Sequence, residues 1–234
     1  NWNYRKSLII QEIKQLNSDI ICFQEFEKDL DLLDQLHSLG YDVLFVPRPG
    51  EHSEGCALAF KFKKLKILDT YSLIFNMNKN NTSGKDISNM YDRDNCACLA
   101  VFSYLLDEDG EKKERLIIAA SAHFLFNTKR GDIKIAQAYA LSNAISKIKE
   151  KYKDYPQEKI STFIGADMNS LPCSGIYKLL IEGSLNCDGV KTEFLSGQNI
   201  KVDSKQDSKA SFIKRLLLSK KTSVYGSFKE KDMD

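Results

Sequence analysis

The sequence has no excess of either charge. Thirty-four Lys and Arg stand against 32 Asp and Glu, a net charge of +2 over 234 residues. Composition therefore gives no case for a general polyanion binder, and any site for nucleic acid has to be local. There is no apolar run of membrane-spanning length and no secretory leader pattern, so the expectation is an intracellular protein, cytoplasmic rather than nuclear, without a membrane partner. The six cysteines are scattered rather than framing a small secreted chain. Cys96-Ala97-Cys98 lacks a second Cys/His pair at zinc spacing, and Cys22, Cys56, Cys96 and Cys98 lie in apolar runs that read as reduced core. Gly-rich phosphate-binding signatures and internal repeats are missing too, which removes the common nucleotide-binding and solenoid classes.

What is present is an ordinary globular composition, 42% hydrophobic and 28% charged, in a chain long enough for one large domain or two small ones. Ile9, Ile13 and Leu16 predict an amphipathic helix over 5–16, and Leu30, Leu33 and Leu36 a second helix ending at Gly40. Short apolar runs predict strands over 19–23, 41–46, 56–60 and 96–104. Asp107 to Gly110 turns the last of these into a hairpin partner over 115–122. A helix is predicted from Gly131 through Ile148 with Asp132 as its N-cap, then a strand over 160–166 and a short helix around 176–181. Residues 76–89 read as a mobile surface loop, and 201–221 as a basic stretch of weak periodicity. Strands joined partly by turns and partly by helices give an α+β fold with helices outside β-sheets.

The chemistry gathers where apolar runs stop. Glu25 follows the 19–23 run, Asn95 precedes the 96–104 run, and His123 closes its hairpin partner. The run from Ile160 stops at Asp167, with Asn169 two residues on and Pro172 blocking further pairing. In a strand, i and i+2 project to one side, so Asp167 and Asn169 are expected to face together. Singly, each has a structural reading: a solvated strand end, a turn, a helix cap or a core histidine. Jointly they supply hard oxygen ligands for Mg²⁺ or Mn²⁺, a carboxylate base in Asp167, and a donor to a phosphate oxygen in His123. That set suits metal-assisted phosphoester hydrolysis.

Ile20-Ile21-Cys22-Phe23-Gln24-Glu25 resembles the "LQE" strand of the endonuclease/exonuclease/phosphatase superfamily. Glu54-Gly55-Cys56-Ala57 with Phe60-Lys61 is similar to the "DGCA…FK" strand of its deadenylase branch, and Gly165-Ala166-Asp167-Met168-Asn169-Ser170-Leu171-Pro172 to that branch's "GDFNSxP". Arg93-Asp94-Asn95, the segment from His123 to Lys134 and that from Tyr177 to Gln198 most resemble the Angel proteins. The likeness covers residues 1–200, with an echo at Ser223-Val224-Tyr225.

The resemblance implies a DNase I-like, four-layered α/β sandwich of two face-to-face sheets with outer helices. It implies a Mg²⁺-dependent (or Mn²⁺-dependent) enzyme acting on RNA 3′ ends, poly(A) included; a monomer is expected. Glu25 would be the metal ligand, Asp167 the base, and Asn169 and His123 the catalytic contacts to the phosphate; Asn95 would line the substrate site. The domain would span 1–200, with 201–234 a basic insertion or mobile C-terminal segment. The family's first strand carries an Asn that shares the metal, and its last strands carry "DYIF" and "SDH" motifs. The sequence begins at Asn1 rather than Met and has none of these, which implies truncation at both ends and weak or absent activity for this polypeptide alone. A 3′-5′ exoribonuclease of deadenylase type is the leading expectation. RNA 2′,3′-cyclic phosphatase activity and a catalytically dead RNA- or protein-binding relative are the alternatives.

Overall fold

Cys56-Ala57-Leu58-Ala59-Phe60 puts no polar residue on either side of the pleat, which suits a strand covered on both faces. The computed structural model describes residues 1–75 and 93–198. In it this run is the middle of β3 (Glu54–Lys61), buried from Gly55 to Phe60. Two antiparallel partners, β1 (Ile20–Glu27) and β2 (Tyr41–Pro47), complete a three-stranded sheet in the order β1-β3-β2. A second sheet takes the order β4-β5-β6-β7, from β4 (Lys66–Ile74), β5 (Cys96–Glu108), β6 (Glu111–His123) and β7 (Ile160–Asp167). The β5–β6 hairpin turns on Asp109 and Gly110, both at positive φ, as a two-residue loop of matching twist requires. Only β7 is parallel to its neighbour, β6, and the helix α3 (Gly131–Lys151) makes that crossover.

The sheets pack face to face. Leu58 and Phe60 of the first meet Cys98, Ala100 and Phe102 of the second, with the Phe60 and Phe102 rings 4.9 Å apart. Alternation along β3 turns Ala57 and Ala59 the other way. There they pack with Ile10 and Ile13 of α1 (Trp2–Leu16) and with Leu32 and Leu36 of α2 (Leu30–Ser38). On the second sheet the alternate residues Leu99, Val101, Ile118 and Ala120 are also fully buried. Lys151, at the end of α3, ion-pairs with Asp69 of β4 at 2.8 Å. Two sheets face to face, with helices α1 and α2 on the outer face of the first, agree with the α+β fold expected. The cysteines are free; of the four read as core, Cys56, Cys96 and Cys98 are buried and Cys22 half-buried, and burial pushes the Cys22 and Cys98 thiols up to about 11 and about 12.

The described chain divides into two compact units. Asn1–Ile74, Asp94–His123 and Ile145–Asp167 form one, which contains both sheets; Phe124–Ala144 and residues 168–198 belong to the other. In the second unit, α4 (Gly175–Glu182) is capped by the Ser174 side chain and ends at Gly183. The start of α3 abuts α5 (Thr192–Leu195) so closely that a Cβ on Gly131 would lie 2.4 Å from the Thr192 carbonyl oxygen. Among the described residues no helix is long and apolar enough to cross a membrane.

Two expectations need correction, and one strand went unread. β1 runs past Phe23 to Glu27 through a bulge. The strand β4 escaped sequence reading because it is a sheet edge with its own register shift and no clean alternation. Asp132 is not an N-cap: α3 begins at Gly131, and the Asp132 carboxylate takes Arg130 Nη2 at 2.9 Å and Nε at 3.0 Å. Residues 76–89, the basic stretch 201–221 within the 201–234 segment, and Ser223-Val224-Tyr225 lie outside the described residues.

Candidate active site at the strand ends

In the first unit, β6 and β7 end in register, with His123 opposite Asp167. His123 Nε2 stands 3.9 Å from Asp167 Oδ2, an ion-pair distance beyond direct hydrogen bonding. The imidazole is buried, while the Asp167 side chain keeps 52% of its surface. Asn95, buried at 3% exposure, directly precedes β5, whose Ala97 pairs with Ala122. All three residues therefore mark the same end of the four-stranded sheet.

Glu25 reaches this end of the unit from the other sheet. Phe23 pairs with Ala57 and Phe26 with Gly55, so Gln24 and Glu25 together face Cys56. The extra residue makes a bulge, and Glu25 takes φ +53, the left-handed region that glycine favours. Its side chain is exposed. Two contacts register β1 against the second sheet. Gly165 allows the approach of Cys22, since a Cβ there would lie 2.6 Å from both Cys22 Cβ and Sγ. Gln24 Nε2 donates to Ser121 Oγ at 2.9 Å and to the Gly165 carbonyl at 3.1 Å, and Ser121 Oγ donates to the Phe23 carbonyl at 2.8 Å.

Asn169 belongs to the second unit. The expectation that it shares a strand face with Asp167 fails: β7 stops at Asp167, and Asn169 sits at φ +45. Asparagine tolerates that conformation better than most residues. Its Nδ2 donates to the Phe124 carbonyl at 3.1 Å, directly after His123 in the chain. Lys134, fully buried, donates from Nζ to the Asn169 carbonyl and, at 2.8 Å, to Gln198 Oε1. One turn on, buried Gln137 accepts from the Leu125 amide at 2.9 Å. A lysine and a glutamine on one face of α3 thus hold the segments after His123 and after Asp167. Sequence reading missed both. The signal was that Lys134 continues the stripe Ala138, Leu141, Ile145 and Ile148.

A metal imposes its own requirements. Among the described residues no three His, Cys, Asp or Glu side chains lie close enough together to hold an ion. Glu25 remains as an exposed hard-oxygen donor. That fits Mg²⁺, which keeps several waters and takes one or two carboxylates.

Carbon catabolite repressor protein 4 homolog 3 of Arabidopsis thaliana is 32% identical over 197 residues, which are 84% of this chain and 39% of that protein. Protein angel homolog 2 of Homo sapiens is 31% identical over 205 residues, 85% of this chain and 34% of its own length. The chain thus spans little more than a third of these two relatives. The crystal structure of ANGEL2, a 2′,3′-cyclic phosphatase, in complex with adenosine-2′,3′-vanadate superposes with a TM-score of 0.70 at 28% identity. That match takes in 88% of this chain and 56% of the ANGEL2 chain. Likeness to the human Nocturnin catalytic domain, at 24% identity and a TM-score of 0.61, covers 76% of this chain and 62% of that one and concerns the fold alone. Residues 1–208 match the Endonuclease/Exonuclease/phosphatase family, and the chain belongs to it.

Proposed function

We propose that this chain carries catalytic strands of a divalent-metal-dependent RNA phosphodiester hydrolase, a 3′-5′ exoribonuclease of deadenylase type. The observation that carries the reading is the His123–Asp167 pair at adjoining strand ends, a donor ring beside an exposed carboxylate at 3.9 Å. Asp167 would accept the proton of the attacking water, whose oxygen bonds phosphorus as the bond to the leaving 3′ oxygen breaks. His123 Nε2 would donate to a non-bridging phosphate oxygen. Asn95 would wall the site. Glu25 would hold Mg²⁺, which when bound supplies charge neutralisation on the phosphate.

The likeness to ANGEL2 favours a second reading, hydrolysis of terminal 2′,3′-cyclic phosphates with the same base and metal ligand. One assay separates them. A 5′-labelled RNA ending in oligo(A) with a free 3′ hydroxyl, and the same RNA ending in a 2′,3′-cyclic phosphate, are incubated with Mg²⁺ and the protein. A ladder shortening from the 3′ end supports the exoribonuclease. Ring opening without shortening moves the assignment to the cyclic phosphatase, and inertness toward both, in a polypeptide that also carries the family's first and last strands, contradicts the hydrolase reading. In either active case Asp167→Asn should lower the rate by about 10²–10⁴-fold.

A further inference from the structure

Of the residues in the proposed site, Glu25 has the least intrinsic reason to sit where it does. At φ +53 a glutamate backbone is disfavoured, and the bulge takes it out of the β1–β3 register. Something has to hold it. Its predecessor, Gln24, donates both to Ser121 Oγ and to the Gly165 carbonyl, and Ser121 Oγ returns a bond to the Phe23 carbonyl. Ser121 and Gly165 are register partners, each two residues before His123 and Asp167, which are themselves partners. Residues i and i+2 of a strand share a face. One carboxamide therefore ties the strand that bears Glu25 to both strands that bear the other pair. A carbonyl oxygen can only accept, so the amide nitrogen is the atom required toward Gly165, and a glutamate at position 24 would set acceptor against acceptor.

We infer that Gln24 is a positioning residue. With Ser121 it fixes the bulge conformation of Glu25 and its spacing from the His123–Asp167 pair. The inference rests on the reading of Glu25 as the carboxylate that holds the metal. A glutamine with no such role would matter to folding alone.

The test titrates Mn²⁺, in place of Mg²⁺, into the wild-type protein and into Gln24→Met, Ser121→Ala and Glu25→Gln, with a thermal melt of each. Gln24→Met keeps the length of the side chain and removes the donors; it should weaken Mn²⁺ binding by about 10–100-fold while the protein still melts cooperatively. Ser121→Ala leaves the bond to Gly165 and should show a smaller loss in the same direction. A lowered melting temperature with unchanged Mn²⁺ affinity in Gln24→Met, while Glu25→Gln loses binding, overturns the inference and leaves the metal reading intact. No Mn²⁺ binding by the wild type, or unchanged affinity in Glu25→Gln, overturns that reading and this inference with it. If Gln24→Met does not fold, Ser121→Ala decides: weaker binding supports the positioning role, and unchanged affinity rejects it.

Discussion

Glu25 and Asn169 adopt the same left-handed backbone, at φ +53 and φ +45, in different units of the chain and under different restraint. The first unit holds Glu25 with neutral groups, through Gln24, Ser121 and the Gly165 carbonyl. The second holds Asn169 with a buried cation, Lys134, on its carbonyl, and with the residue's own side chain on Phe124. Asparagine accepts the conformation and needs little persuasion; glutamate does not. A rigid two-sheet scaffold can therefore force an unsuitable residue into place. A loop relies on a residue that suits it and on one strong donor.

The largest effect expected from breaking this comparison is at Lys134. Lys134→Met removes donors from two half-buried acceptors, the Asn169 carbonyl and Gln198 Oε1. It should cost about 1–3 kcal/mol of stability in urea unfolding. A smaller cost would mean that the second unit does not depend on this cation. Gly165→Ala challenges the first unit in the same range, since its Cβ would meet Cys22 at 2.6 Å. Overpacking should cost about 1–3 kcal/mol, and Cys22→Ala in the same molecule should restore part of it. Equal losses in the single and double variants would show that the Cys22 contact is not the cause.

Glu25→Gly and Asn169→Gly sharpen the contrast directly. Relief of a disfavoured backbone should make Glu25→Gly more stable than Asn169→Gly, each relative to wild type, by about 1 kcal/mol in urea midpoints. The reverse order would mean that the bulge stores no strain. The smallest effect concerns pH. Asp69 is held below the usual carboxylate range by its bonds to Lys151 and Tyr152. A folded value below the unfolded value of about 3.9 means that its contribution is complete above that pH and is lost as pH falls through the folded value. Asp69→Asn should therefore flatten the acid side of the stability profile, below about pH 4, and leave the neutral region parallel to wild type.

The sandwich was legible because its strands are apolar on both faces or end abruptly in charge, as at Phe60-Lys61 and Ala166-Asp167. The pairing of His123 with Asp167 was legible only as two strand ends, because register between distant strands leaves no mark on either alone. The bulge at Glu25 was hidden. Nothing in Phe23-Gln24-Glu25-Phe26 announces an extra residue, and the usual glycine at such a position is absent. The isolated Gly165 inside a β-rich run is a mark of close backbone approach that went unread. Lys134 was hidden for the opposite reason: a lysine on a helix is ordinarily assigned to solvent, and only its place in the apolar stripe shows otherwise.

The most direct test of the central claim sets Asp167→Asn against Asp132→Asn in the RNA 3′-end assay with Mg²⁺. Both aspartates begin or end a regular element near the same motifs, but the structure pairs Asp167 with His123 and Asp132 with Arg130. The account predicts a loss of about 10²-fold or more for Asp167→Asn and a rate within a few-fold of wild type for Asp132→Asn. Similar rates in the two variants would contradict it.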